Sequence, residues 1–287
     1  MTKIKILGIS SGKRSKYDCA RDDPVSLKYL RIALDEAKKQ GASTKLIDLR
    51  ELDINPCKEC YSTNPAQCRF NEKKYQCDCY RFKEDVIYSD NQNKFLTLEQ
   101  AYNEFSKEDF LKYLNNKEYH TKKDDMYIVY KEMLEADAII FATSTAFYSR
   151  PALLQNMISR LCALDGGVEE LWGDGKNLQN SIKYSKKPNA TYKQRLYGKT
   201  CAFINCSKEG DSVSPDLMKA CTMMGMRIIP LGVAYRVNWY NDATHSSESK
   251  KSLSDKYTLS LLKHLGKKIV EESKNSNKKY GKLSSTV

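Results

Sequence analysis

No run of apolar residues in this chain approaches the ~18 that a membrane-crossing helix requires. Nor does any stretch interleave basic and aromatic residues as a nucleic-acid platform would. The first residues, Met-Thr-Lys-Ile-Lys-Ile, enter a strand pattern without the apolar centre of a signal peptide. The expectation is a cytosolic protein with neither membrane nor nucleic acid among its partners. Histidine is scarce: the three present, His120, His245 and His264, show no partner pattern and read as surface or core residues. Neither Gly-x-Gly-x-x-Gly nor Gly-x-x-x-x-Gly-Lys-Ser/Thr occurs where a strand meets a helix, which disfavours a dinucleotide fingerprint and a P-loop. There is no internal repeat.

What is present is a basic chain of 287 residues, with 48 Lys plus Arg against 36 Asp plus Glu and a formal net charge of +12. The length suits one large domain or an ordinary domain with insertions. The lysines are scattered, denser only near the end (Lys267, Lys268, Lys274, Lys278, Lys279), and read as a solvated surface.

Ile4 to Ile9 reads as a short buried strand. A polar stretch follows, then Asp23 as N-cap and Pro24 at the first position of a helix that buries Leu27, Leu30, Leu34 and Ala37 and stops at Gly41. Thr44 to Asp48 gives a second strand. Met126, Val129, Tyr130, Met133 and Leu134 share a helical face, and Ala138 to Ala142 is an apolar run typical of a strand buried on both sides. A helix after Pro151, a strand over Thr200 to Asn205, a helix after Pro215 closed by Gly225, a strand over Arg227 to Tyr235 and a final helix over Leu253 to Glu272 complete the series. Strands alternating with helices predict a doubly wound α/β domain, a five-stranded parallel sheet of order 2-1-3-4-5. That domain spans residues 1–273. Two excursions leave it: a cysteine-rich insertion after strand 2, over 56–123, with a small helical hairpin over about 95 to 115, and a second at 166–197. Residues 274–287 read as a disordered polar tail.

In such a sheet the ligand lies at the carboxyl ends of the central strands. Three loops reach that edge. The first holds Ser10, Ser11, Gly12, Lys13, Arg14 and Ser15 and leads to the helix start at Ser26. Hydroxyls and cations beside a positive helix end make a phosphate site, and a monoester such as that of FMN fits its spacing. An ordinary polar βα loop is the alternative there. The second loop, Ser144, Thr145, Ala146, Phe147 and Tyr148, places two aromatic rings beside it, to flank a planar ring or, as each taken singly favours, to pack against the adjacent helix. The third, Cys206, Ser207, Lys208, Glu209 and Gly210, offers backbone donors and a lysine suited to negative charge on a reduced flavin.

Five of the ten cysteines, Cys57, Cys60, Cys68, Cys77 and Cys79, fall within 23 residues. In a reducing compartment the cluster reads as ligands of a [4Fe–4S] cluster, as zinc ligands, or as free or redox thiols. The other five read mostly as small core residues.

Several passages resemble the NADPH-dependent FMN reductase and iron–sulfur flavoprotein group of the flavodoxin-like fold. They are Lys5 to Ser10 with Arg14 following, Ile54-Asn-Pro-Cys57-Lys-Glu-Cys60, Asp124-Asp125-Met126 leading into Glu135 to Ile140, and Ala142 to Arg160. Gln194 to Lys199 is similar to the stretch introducing the fourth strand in some members. The resemblance implies non-covalent FMN, its phosphate on Ser10 to Ser15 and Ser26 and its ring against the 144–148 and 206–210 loops. It also implies NADH or NADPH as co-substrate and a quinone, free flavin, metal or protein as acceptor; the expected enzyme is a homo-oligomer. The flavin itself carries hydride, so no catalytic side chain is expected. The chain departs from the family in having Ser144-Thr145-Ala146 for Pro-x-Tyr, Ser159-Arg160 for Asp-Arg, and a longer first loop. Iron–sulfur members use a compact Cys-x-x-Cys-x-x-Cys run, and here Thr63 stands at the third position. The alternatives to a reductase are an iron–sulfur flavoprotein carrier reduced by a ferredoxin-like partner, and a non-enzymatic metal- or protein-binding module on the same scaffold.

Overall fold

The computed structural model describes residues 3–12, 22–59, 70–71, 73, 75–77, 87–88, 95–96, 103–106, 108, 124–165, 194–207, 210–237 and 251–280. Strand β1 (Lys5–Ser10) leads to helix α1 (Val25–Lys39) and strand β2 (Ser43–Asp48). After a long excursion come α2 (Met126–Glu135), β3 (Ala138–Thr143), α3 (Ala152–Arg160), β4 (Thr200–Ser207), α4 (Val213–Met223), β5 (Arg227–Val237) and α5 (Lys256–Tyr280). All five strands are parallel, in the spatial order β2-β1-β3-β4-β5. This is the flavodoxin-like arrangement expected from the sequence.

The central strands carry the apolar runs Ala138 to Ala142 and Cys201 to Ile204 because helices cover both faces. Every residue of β3 and β4 is buried. Leu7, Ile9, Ile139, Phe141, Cys201 and Phe203 pack against α2, α3 and α4, and the rings of Phe141 and Phe203 stack with centroids 5.9 Å apart. Ile6, Ile140, Ala202 and Ile204 pack on the other side against α1 and α5. Side chains alternate along each strand, so one apolar run serves both layers.

The helix ends differ from expectation in two places. Pro24, not Asp23, occupies the N-cap of α1, and Asp23 binds arginines instead. The last helix continues to Tyr280, so residues 274–280 are helical where a disordered tail was expected. Polar residues anchor this extension: Ser276 Oγ donates to the Gly198 carbonyl (2.9 Å) and Asn277 Nδ2 to Asp137 Oδ1 (3.0 Å). Gly41 (φ 88°) and Gly225 (φ 73°) close α1 and α4 in the left-handed conformation that glycine alone adopts freely.

The excursion after β2 is described at a few places only. Phe70–Asn71 pairs with Gln76–Cys77, and Ile87–Tyr88 with Phe95–Leu96. The helical hairpin expected over 95–115 therefore begins with an extended pair; Asn103, Glu104 and Glu108 are helical, and the remainder lies outside the described residues. The first ribbon packs beside a buried ion pair between Arg160 at the end of α3 and Asp124, just before α2. Arg160 Nη2 also donates to Cys77 Sγ (3.4 Å), and Asp124 accepts from the backbone of Asn55 and Met126. Of the second excursion, 166–193 lies outside the described residues, while Leu196 is part of the core. Among the described residues no helix is long and apolar enough to cross a membrane.

Candidate functional site

The strand order reverses about β1, which places the switch point of the sheet at its carboxyl end, between the turns leaving β1 and β3. Ser11 joins these turns. Its backbone N–H donates to the Ala142 carbonyl (2.9 Å) and its hydroxyl to Thr143 Oγ1 (2.9 Å), which in turn donates to the Ser144 carbonyl (3.1 Å). The first and second turns are thus bound to one another.

Gly12 lies against the start of α1. A Cβ there would stand 2.5 Å from Pro24 Cγ, 2.6 Å from Pro24 Cβ and 3.4 Å from Ser26 Oγ. Among the described residues α1 has no side-chain cap, and its first turn carries no acidic residue. Among the described residues its first N–H groups and positive end thus have no side-chain acceptor. The hydroxyls of Ser10 and Ser26 are buried with no hydrogen-bond partner among the described residues. Buried hydroxyls without partners are rare in folded proteins. Two of them beside a bare helix end mark a place where donors await an acceptor. Lys13, Arg14 and Ser15 lie outside the described residues.

The nearby carboxylates are already engaged. Asp22 holds Lys28 (2.6 Å), and Asp23 holds Arg31 (2.6 Å) and Arg50 (3.1 Å). Burial raises the Asp23 carboxyl, but the two guanidiniums outweigh it and leave its pKa below the ordinary value. The Arg50 guanidinium is held above its ordinary value, chiefly by its hydrogen bonds to Asp48.

The second turn has an unusual backbone. Ala146 N–H donates to the Ser149 carbonyl (2.7 Å) and Ser149 N–H to that of Ala146 (3.0 Å), which encloses a two-residue turn. Phe147 (φ 45°) and Tyr148 (φ 59°) are both left-handed, the geometry that normally selects Asn and Gly. Their rings are 85% and 68% exposed and meet edge to face, centroids 5.8 Å apart.

The third turn is bound to the second. Thr145 Oγ1 donates to the Gly210 carbonyl (3.1 Å), and Ser212 Oγ donates to that of Tyr148 (2.7 Å). Asn205 Nδ2 donates to Asp211 Oδ1 (2.6 Å) and to Thr145 Oγ1 (3.4 Å). Asp211 also accepts from the Ser214 backbone (2.9 Å). Ser144 Oγ, Asn205 Oδ1 and Ser214 Oγ are buried and unpartnered among the described residues. Cys206 and Ser207 end β4 in buried positions, Gly210 (φ 91°) faces open space, and Lys208 and Glu209 lie outside the described residues.

The three turns picked out in the sequence therefore meet at one edge. Sequence reasoning missed the residues that join them: Thr143, Asn205, Asp211 and Ser212. Asn205 carried a signal, as a polar amide at the end of the apolar run Cys201 to Ile204, where burial demands partners. Arg50 carried none. Of the cysteine cluster, Cys57 is half-buried and Cys77 is buried beside Arg160, while Cys60, Cys68 and Cys79 lie outside the described residues. Among the described residues no three His, Cys, Asp or Glu side chains come together as metal ligands.

Fold and site together define a flavodoxin-like domain whose βα turns meet at its switch point. The chain belongs to the NADPH-dependent FMN reductase family, whose family model matches residues 94–240, and is an NAD(P)H-dependent FMN oxidoreductase. The match takes in the second and third turns, and the cradle of Ser10, Gly12 and Ser26 precedes it. Among solved structures the chain is similar to RosB, determined with a bound 8-demethyl-8-formylriboflavin-5'-phosphate intermediate, at 14% identity and a TM-score of 0.57 over 98% of this chain and 82% of that one. It is also similar to a flavone reductase at 15% identity and a TM-score of 0.49, over 97% of this chain and 65% of that one. At such identities these likenesses show the fold, and the first carries that conclusion. No curated protein matches the sequence.

FMN meets the donor set present here. The unpartnered Ser10 and Ser26 hydroxyls and the uncapped α1 can donate to a phosphate dianion, and the lack of a side chain on Gly12 lets this turn approach the start of α1 closely.

Proposed function

We propose that the carboxyl edge of the sheet holds FMN non-covalently and passes electrons from NADH or NADPH to a small-molecule acceptor such as a quinone or free flavin. The Ser10 and Ser26 hydroxyls and the first N–H groups of α1 bind the phosphate, with Lys13, Arg14 and Ser15 completing the turn. Ser144, Thr145, Phe147 and Tyr148 on one side and the 206–210 turn on the other border the ring. Bound FMN supplies the hydride chemistry. The chain's own residues bind and orient: the Ser11–Thr143 and Thr145–Gly210 bonds hold the three turns in fixed register. Asp211 braces Asn205 and the start of α4.

The observation that carries this reading is the pair of buried hydroxyls without partners beside the uncapped, acid-free start of α1. The test is a titration of purified protein, stripped of small molecules, with FMN, followed by NADPH under anaerobic conditions. Stoichiometric FMN binding and bleaching of the flavin absorption by NADPH are expected. Protein that takes up no FMN would refute the reading. Iron and sulfide analysis of the same sample separates it from the iron–sulfur carrier, to which the described residues lend no support.

A further inference from the structure

We propose that Arg50, outside the three turns, is a positioning residue for the phosphate end of the site; the proposal rests on the FMN reading above. Arg50 lies just past β2 in the single turn Leu49–Glu51. Its Nε donates to both carboxylate oxygens of Asp48 (3.0 Å each), and its Nη2 reaches Asp48 Oδ2 (2.5 Å) and Asp23 Oδ1 (3.1 Å). Asp48 also accepts from the Arg50 backbone (3.1 Å), so the side chain is fixed at its root. Only 10% of the Arg50 side chain and 11% of that of Asp48 are exposed. Arg31 Nη1 takes the other oxygen of Asp23 (2.6 Å).

Two consequences follow for the cradle. The first is geometric. Asp23 immediately precedes Pro24, whose ring Gly12 abuts, and Ser26 is two residues further on. Holding Asp23 to the end of β2 therefore fixes where α1 starts relative to β1. The planar fork of a guanidinium can bridge two carboxylates in this way, whereas an ammonium is a point charge. The second is electrostatic. Asp22, Asp23 and Asp48 place three carboxylates close to the helix end where a dianion binds, and uncompensated like charge opposes that binding. Arg50 neutralises two of them at once, while Lys28 and Arg31 attend to Asp22 and Asp23.

The test compares FMN with riboflavin, which lacks the phosphate, in wild type, Arg50→Met, Arg50→Lys and the triple variant Arg50→Met/Asp23→Asn/Asp48→Asn. Arg50→Met is expected to weaken FMN about tenfold while leaving riboflavin unchanged, and the defect shrinks as salt is raised. Arg50→Lys recovers part of the loss, and the triple variant recovers most of it, because the opposing charges have gone. FMN binding by Arg50→Met equal to wild type overturns the proposal. So does an equal loss for FMN and riboflavin, the mark of a merely structural residue. If Arg50→Met does not fold, Arg50→Lys decides, since FMN binding equal to wild type there leaves the bridging fork without a role. Failure of the wild type to bind FMN refutes the cofactor reading itself and is read from that sample alone.

Discussion

Replacing Gly12 with alanine tests the cradle with a single added carbon. The backbone of Gly12 is not left-handed, so alanine is conformationally acceptable and the effect is steric. The new Cβ would lie 2.5 Å and 2.6 Å from two carbons of the Pro24 ring. Carbon atoms rest at about 3.5–4.0 Å, so a gap of about 1 Å must open. A flexible side chain could rotate aside, but the proline ring is tied to its own backbone. The displacement therefore passes to the Gly12 segment or to the first residues of α1, and either changes the spacing of the Ser10 and Ser26 hydroxyls. A hydrogen bond to a charged group contributes about 1.5–3 kcal/mol, so losing one weakens FMN by about 10- to 100-fold. Riboflavin makes no phosphate contact and should bind as before. The assay is a paired titration of FMN and riboflavin by quenching of flavin fluorescence, with thermal unfolding of the apoprotein as control. If Gly12→Ala binds FMN as tightly as wild type and remains fully folded, the phosphate does not lie against Gly12 and the site argument fails.

Ser26→Ala should separate binding from stability. The buried hydroxyl is unsatisfied without ligand, which costs about 1–3 kcal/mol, so the apo variant is as stable as wild type or more so while its FMN Kd rises about tenfold; a parallel fall in both would show that the hydroxyl has a structural partner. Lys199 gives a pH test. Its ammonium donates to the carbonyls of Leu134 (2.8 Å) and Ala136 (2.5 Å), and burial pushes its pKa from 10.5 down to about 8 despite the pull of Asp137. Between those values the unfolded chain holds a proton that the folded chain has lost, so stability rises with pH from about 8 to 10.5, by about 3 kcal/mol in all, and is insensitive to this group below 8. Urea midpoints against pH should lose that rise in Lys199→Met; identical profiles would show that the lysine titrates normally. Phe147→Gly relieves a left-handed backbone costing about 1–2 kcal/mol, so the apoprotein should melt higher while FMN and riboflavin both bind less well; unchanged binding would remove Phe147 from the ring site.

The fold was legible because burial on both faces imposes continuous apolar runs, as in Ala138 to Ala142, and glycine stops such as Gly41 and Gly225 mark helix ends in the chain itself. The three turns were legible for the same reason: each follows a recognisable strand. Their joints were not. The bond from Ser11 to Thr143 and that from Thr145 to Gly210 depend on sheet order, not on neighbouring sequence. Asp23 satisfies every local rule for an N-cap, yet tertiary arginines claim it and Pro24 takes the position. The helical segment from Lys274 to Tyr280 looked like a solvated tail because Ser276 and Asn277 are polar; their partners, Gly198 and Asp137, are remote in the chain. A left-handed Phe147-Tyr148 pair could not be foreseen, since turns of that kind normally carry Asn or Gly.

Most of the buried polar atoms left unmatched among the described residues lie at one edge, although Leu231 (φ 54°) is left-handed elsewhere. Ser10, Ser26, Ser144 and Ser214 leave buried hydroxyls unmatched, Asn205 leaves a carbonyl unmatched, α1 begins uncapped, and two aromatic residues are held left-handed in water, all at the carboxyl edge. Each unmatched group costs on the order of 1–3 kcal/mol, against a total stability of about 5–15 kcal/mol for an ordinary domain. The apoprotein thus commits a sizeable share of its stability to one edge, apart from the separate cost of burying the Lys199 ammonium where it caps the end of α2. Such an edge persists only if something binds there and returns the energy. Ligand binding raises stability by RT ln(1 + [L]/Kd), about 2.7 kcal/mol at a hundredfold excess over Kd. Saturating FMN should therefore raise the melting temperature by several degrees and riboflavin by less, because the ring leaves the Ser10 and Ser26 hydroxyls unmatched. Equal shifts for the two ligands would mean that these hydroxyls serve something other than the phosphate.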